Sequence, residues 1–266
     1  MNVRGLVEEI YRRDRVLAIT GWLHVGLLVA MLAVAPFDHR LVMGLNLWVK
    51  PMKFAISIAI YLWTLAWFLK YLPGPRWARQ AIRWGASIAM TAEILCIGLQ
   101  AARGTTSHYN NSTPFNTAVF ATMAFMILVN TLVAAFVLLL FLLRRVELAP
   151  AYRWGIRLGL LVFVVGSLEG MVMIFHNAHT VGLLDGGPGL PLVNWSTRAG
   201  DLRIAHLLGL HALQILPLAG YWVSGWKTAL PAGRQVACVF VFFLAYAGIT
   251  IFLFWQALHG RPLISL

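Results

Sequence analysis

Glu93, Glu169 and His211 set the chemical question in this sequence, because each stands in a long apolar run where an ionisable side chain is costly and by default marks function. Each lies about nine residues from one end of its run, roughly 13 Å in from that end at the helical rise of about 1.5 Å per residue. His24 sits somewhat deeper in the first run. Two carboxylates and an imidazole at one level make a ligand set suited to zinc, iron or manganese rather than to soft copper(I). The same groups are also the parts of a proton relay. A shallower tier lies above them. His176 follows Glu169, and Gln100 follows Glu93, by two helical turns, which puts each pair on one helix face. His108, His179 and His206 fall near the same boundary, and His39 and His259 near other helix ends, so all histidines except His24 crowd towards one side. His206 and His211 are separated by about 140° around a helix and need partners from other helices to bind one ion.

These positions define the expected site. Glu93, Glu169 and His211 are the deep metal ligands, with His176 or His206 completing the set, and a metal there would activate water or oxygen for attack on a lipid-soluble substrate. His24, Gln100, Arg103, His108, Asn110, His179, Asp201 and Arg203 are expected to support or cover it. The run from Arg103 to Pro114 is almost wholly polar and lacks the acidic pattern of a calcium loop, so it reads as a hydrogen-bonding lid. Haem b is an alternative occupant. His176, His206 or His211 would be its axial ligands, with Gly166, Gly170 and Gly209 letting a flat macrocycle approach the backbone. Lys50 and Lys53 form a candidate anion site for a lipid headgroup, a carboxylate such as Asp38, or a haem propionate. Asp201 is placed to cap the helix that follows it.

The elements that must carry these groups are membrane spans. With 60% hydrophobic and 11% charged residues among 266, the chain has far more apolar surface than an ordinary soluble domain can bury. Intrinsic disorder is excluded on the same ground. Runs of about 20 apolar residues fall near 16–36, 53–72, 83–102, 115–143, 156–178, 202–224 and 235–258. The expected fold is therefore all-α, a polytopic membrane helix bundle of seven transmembrane helices in a single integral domain spanning 1–266. Basic residues precede a first run that ends in Ala33-Val34-Ala35, as in a secretion signal. That run is long and Pro36 follows it, so an uncleaved anchor is expected. Cys96 and Cys238 lack the spacing of a thiol metal site or redox pair.

The net charge of +12 is distributed in short clusters between apolar runs, which argues for topology and against a nucleic-acid partner. With the N-terminus cytoplasmic, the inner loops hold Arg4, Arg12, Arg13, Arg15, Lys70, Arg76, Arg79, Arg83, Arg144, Arg145, Arg153, Arg157, Lys227 and Arg234. The outer loops hold Arg40, Lys50, Lys53, Arg103, Arg198, Arg203 and Arg261. That bias places the N-terminus inside and the C-terminus outside. Trp77, Trp154, Trp222 and Trp226 near inner ends, and Trp48, Trp195 and Trp255 near outer ends, suit interfacial belts.

The runs Arg103-Gly-Thr-Thr-Ser-His108-Tyr-Asn110 and Gly200-Asp-Leu-Arg-Ile-Ala-His206, continuing to His211 and Gln214, resemble motifs of a group of bacterial multi-pass membrane proteins. The resemblance implies a seven-span protein of the cytoplasmic membrane and brings no activity with it. Two other seven-span families fit poorly. A retinal protein requires a lysine in its last span, and none lies between Arg234 and Arg261; the zinc amidohydrolase-like proteins carry an HxxxH pair where His259 stands alone. Three readings stay open: a metal- or haem-dependent protein, a proton-coupled transporter, and an accessory subunit whose polar groups only fix packing against other membrane subunits. Against the second, internal inverted repeats are missing.

Overall fold

A computed structural model describes residues 3–225 and 230–265. Trp226 and Lys227, used above for topology, lie outside the described residues. The chain is all-α, and seven of its helices are long and apolar enough to cross a membrane. The described residues form two compact units, 1–133 and 134–266, divided within one helix.

The first unit opens with α1 (Val3–Arg13), a charged helix that the apolar runs did not signal. Asp14 then stops and restarts the chain: its extended backbone breaks the helix and its carboxylate accepts from Leu17 N–H at 3.2 Å, capping α2 (Arg15–Val34). A single 3-10 turn at Ala35–Phe37 follows, with Pro36 inside it. Strands β1 (Leu41–Val42) and β2 (Leu45–Asn46) pair across Met43 and Gly44, both at positive φ as a tight hairpin turn requires. Next come α3 (Val49–Leu69), α4 (Arg76–Ala102) and α5 (Pro114–Leu143), the last continuing into the second unit. The expected second span began at residue 53, whereas α3 starts at Val49, so Lys50 and Lys53 belong to its opening turns. Pro51 is compatible with that start because the first N–H groups of a helix have no internal acceptor. Helix α2 packs on α3 and α4. Arg13 stacks on the rings of Trp67 and Tyr71, at 3.6 and 5.0 Å from their centroids, and donates to the Trp67 carbonyl.

The second unit contains the end of α5, α6 (Pro150–His176), β3 (Thr180–Val181), β4 (Gly200–Asp201), α7 (Leu202–Gly225) and α8 (Ala232–Leu258). Asn177 in the left-handed conformation terminates α6, with its N–H closing on Met173 and Ile174 carbonyls. The dominant packing is α6 against α7. Small residues bring the two backbones together: Gly155 meets Leu216 and Gly220, Gly159 meets Ala212 and Pro217, and Gly166 meets Gly209. Lipid offers no hydrophobic drive for helices to associate, so close van der Waals contact through small residues takes its place.

Candidate functional site

In the first unit the chain brings together Glu93 of α4, Lys50 of α3 and His108 of the loop after α4. Glu93 is 1% exposed, and neither of its carboxylate oxygens has a hydrogen bond. His108 Nε2 faces Glu93 Oε1 at 3.6 Å, just beyond hydrogen-bonding distance. The ring's other nitrogen, Nδ1, lies 3.2 Å from Lys50 Nζ and 3.0 Å from Ser107 Oγ. A lysine ammonium has donors only, so Nδ1 accepts, and the single proton of a neutral ring then sits on Nε2, aimed at Glu93. Lys50 also acts on Glu93 through its charge. Phe54, Tyr109 and Phe120 surround the imidazole with ring centroids 5.9, 5.9 and 6.2 Å away, which fixes its plane.

The loop that supplies His108 is held by its own polar groups. Gly104 and Tyr109 take positive φ, turning the chain back over the end of α4. Asn110 donates to Thr105 Oγ1 and the Thr106 carbonyl and accepts from Ser112. At its base, Arg103 donates to Gln100 Oε1 at 2.6 Å and Asn116 Oδ1 at 2.7 Å, while Gln100 donates to the same Asn116 oxygen. Arg103 also stacks on Phe115, 4.4 Å from its centroid. Gln100 is fully buried, and these bonds clasp the base of the loop. Asp38 is engaged by Arg40 and Trp48, whose hydrogen bonds hold its carboxyl well below the usual carboxylate range.

His24 is buried in α2 with Nδ1 2.7 Å from the Thr20 carbonyl and Nε2 3.4 Å from the Met90 carbonyl of α4. Beside it Thr20 Oγ1 and Ser87 Oγ are 3.2 Å apart.

In the second unit Glu169 and His206 flank the Gly166–Gly209 crossing. His206 Nδ1 donates to the Gly166 carbonyl at 2.7 Å, leaving Nε2 as the ring's acceptor, and Glu169 Oε2 is buried without a hydrogen bond. The space a Cβ would take at Gly166 and Gly209 is filled by each other's backbone, and that at Gly170 by the His206 ring. Helix α6 ends at His176 rather than 178, leaving Glu169 seven residues from its end. Among the described residues, His176 and His211 have no hydrogen-bond or ionic partner, and His176 is exposed. Glu93 belongs to one unit and Glu169 and His211 to the other.

The stretch between α6 and α7 is tied by two aspartates. Asp185 accepts from the backbone of His179 and Thr180 and lies 3.1 Å from His179 Nδ1. Asp201 accepts from Ser196 N–H, from Arg203 N–H as the expected cap does, and from the Arg203 guanidinium at 2.9 and 2.6 Å. Burial by itself pushes the Asp201 carboxyl up, but the Arg203 hydrogen bonds and charge, together with the Ser196 N–H bond and the His179 charge, outweigh it and hold the carboxyl below its ordinary value. These residues, with His179, are thus anchors of the connecting segment.

Among the described residues no three His, Cys, Asp or Glu side chains are grouped so as to hold a metal ion. The Lys50–His108 pairing was not legible in spacing, since a lysine at a helix start and a histidine in a distant loop have no sequence relation. Ser87 and Arg83 had a signal: they stand one and two turns below Met90 on α4, on the face that meets α2. No family model, curated protein or solved structure matches the chain.

Proposed function

We propose that this integral membrane protein is a proton-coupled transporter whose Glu93 exchanges a proton through His108 and Lys50. The observation that carries the reading is the buried Glu93 carboxylate, without hydrogen bonds and facing an imidazole whose far nitrogen is held by an amine. Proton transfer needs a donor within one small movement of its acceptor, and the 3.6 Å gap at Nε2 is of that kind. A proton delivered by the Lys50 ammonium to Nδ1 lets the ring release its Nε2 proton to Glu93, and the Lys50 amine is reprotonated from water. The test is infrared spectroscopy of the reconstituted protein across a pH series: a protonated-carboxyl band that appears and disappears, and is absent in Glu93→Gln, is expected. A spectrum that is the same in both proteins at every pH refutes the relay.

The proposed topology puts the relay on the outer side, from the excess of Lys and Arg in the opposite set of loops. A cysteine placed after Arg261 should be labelled by an impermeant thiol reagent in intact cells, in a background lacking Cys96 and Cys238. Protection there with labelling near Arg4 reverses the orientation.

A second reading rests on His206, whose Nδ1 bond to a backbone carbonyl is the arrangement that orients a metal-ligating histidine. With Glu169 it would supply two donors to zinc, iron or manganese, or His206 alone an axial ligand to haem, the rest of either shell coming from outside this pair. Elemental analysis and an absorption spectrum of the purified protein separate the readings. A stoichiometric metal or a Soret band, lost in His206→Ala, favours the second.

A further inference from the structure

We propose that the α2–α4 interface is a proton-conducting seam linking the Glu93–His108–Lys50 cluster to the opposite end of the first unit at Asp14 and Arg83, an inference that rests on the relay above. On α4, Arg83, Ser87, Met90 and Glu93 succeed one another at three or four residues, about one turn each, so one line of the helix carries them. On α2, Asp14, Thr20 and His24 answer them. Three direct contacts join the two lines: Arg83 to Asp14 at 2.8 Å, Ser87 Oγ to Thr20 Oγ1 at 3.2 Å, and the Met90 carbonyl to His24 Nε2 at 3.4 Å. The line from Arg83 to Glu93 covers roughly 15 Å, about half the hydrocarbon thickness, and His108 and Lys50 extend it further.

Each group can pass a proton on without being consumed. The neutral His24 ring places one N–H on the Thr20 carbonyl, and a second carbonyl waits at Nε2, so the site accepts both protonation states of the imidazole. A serine and a threonine hydroxyl can each donate one proton while accepting another. Thr20, Ser87 and Thr91 line a groove of about 360 Å³ whose other walls are Trp84, Ile88, Ala92 and Leu95. The groove is open, with Trp84, Ile88 and Leu95 exposed along it, and its three hydroxyls are the polar partners that an entering water would bond. Conduction along the seam requires water at the gaps of about 5 Å between successive turns, from Glu93 to His24 and from the hydroxyls to Asp14. A proton leaving Glu93 to a water is taken up on one nitrogen of His24 while the other gives one up, the hydroxyl pair accepts one proton and gives up its own, and a proton is released at the Asp14 end; His24 must then recover its first tautomer and the hydroxyls rotate back before the next transfer. The charged or titratable groups facing Glu93 are His108 and Lys50, with Cys96 on its own helix; Arg83 faces Asp14.

The test uses the full chain in liposomes with an entrapped pH dye, a potassium gradient and valinomycin to drive protons, alongside the infrared titration of Glu93. Wild type should conduct at least tenfold faster than protein-free liposomes. His24→Gln, Ser87→Ala and Thr20→Val should each lose most of that flux, while Thr20→Ser, which keeps the hydroxyl, should retain it. Circular dichroism and gel filtration identify variants that fold. A wild-type flux no greater than that of empty liposomes, or one unchanged in His24→Gln and Ser87→Ala, overturns the seam; a Glu93 band that still titrates shows in those cases that the relay stands. A Glu93 band that does not titrate overturns both.

Discussion

Gly209→Val is expected to destabilise the second unit by about 3 kcal/mol or more, at the upper end of what overpacking costs. A Cβ on Gly209 would lie 2.6 Å from the Gly166 Cα, and one on Gly166 would meet the Gly209 Cα and carbonyl carbon at 2.6 and 2.8 Å. Both neighbours are backbone, so no side chain can rotate away, and α6 and α7 must separate at this crossing. Separation also breaks the His206 bond to the Gly166 carbonyl and exposes the buried Glu169 oxygen. Thermal unfolding in detergent, followed by tryptophan fluorescence, should show the loss. Gly26→Ala and Gly248→Ala are the comparison, since a Cβ at either meets nothing within 4 Å. Their stability should stay level or rise by roughly 0.5–1 kcal/mol through helix propensity. Equal behaviour of all three would mean that α6 and α7 do not approach this closely.

Asp201→Asn should release the segment between α6 and α7. Asp201 is 1% exposed and its two oxygens serve Ser196 N–H, Arg203 N–H and the guanidinium fork. Breaking a buried pair by removing one partner costs about 3–5 kcal/mol; with the Arg203 side chain 26% exposed to solvent, roughly 2 kcal/mol is the expected loss here. The pH dependence has a definite sign. The folded carboxyl is held below its unfolded value, so its contribution is complete above the unfolded pKa of about 3.9 and is lost as pH falls through the folded one. Limited proteolysis between Asn177 and Arg198 should therefore accelerate in wild type at strongly acidic pH. In Asp201→Asn cleavage should be fast already at neutral pH, with little further change on acidification. A variant as resistant as wild type at neutral pH would remove Asp201 from its anchoring role.

Only part of this was legible without coordinates. Solvent transfer is additive along a chain, so hydropathy located each of the seven long helices to within a few residues at most ends. The same locality made Asp201 readable as a cap, because a side chain bonding its own following backbone needs no tertiary information. Helix α1 escaped because its residues are charged, and hydropathy registers only what lipid would accept. A different signal is in the sequence: Gly155 and Gly159, four apart in α6, are the small-residue pattern of close membrane-helix packing.

Residue type and order alone make this a seven-span membrane protein with a handful of acids and imidazoles in its apolar runs. Which of these groups meet was decided by tertiary structure. Glu93 pairs with His108, fifteen residues on, because Gly104 and Tyr109 at positive φ fold the loop back and α3 delivers Lys50 to the same place. His24 faces a carbonyl of α4, and Ser87 a hydroxyl of α2, because of how those helices are rotated about their axes, which hydropathy does not encode. Gly166 and Gly209 meet each other for the same reason: a glycine leaves room, and the partner helix determines what fills it.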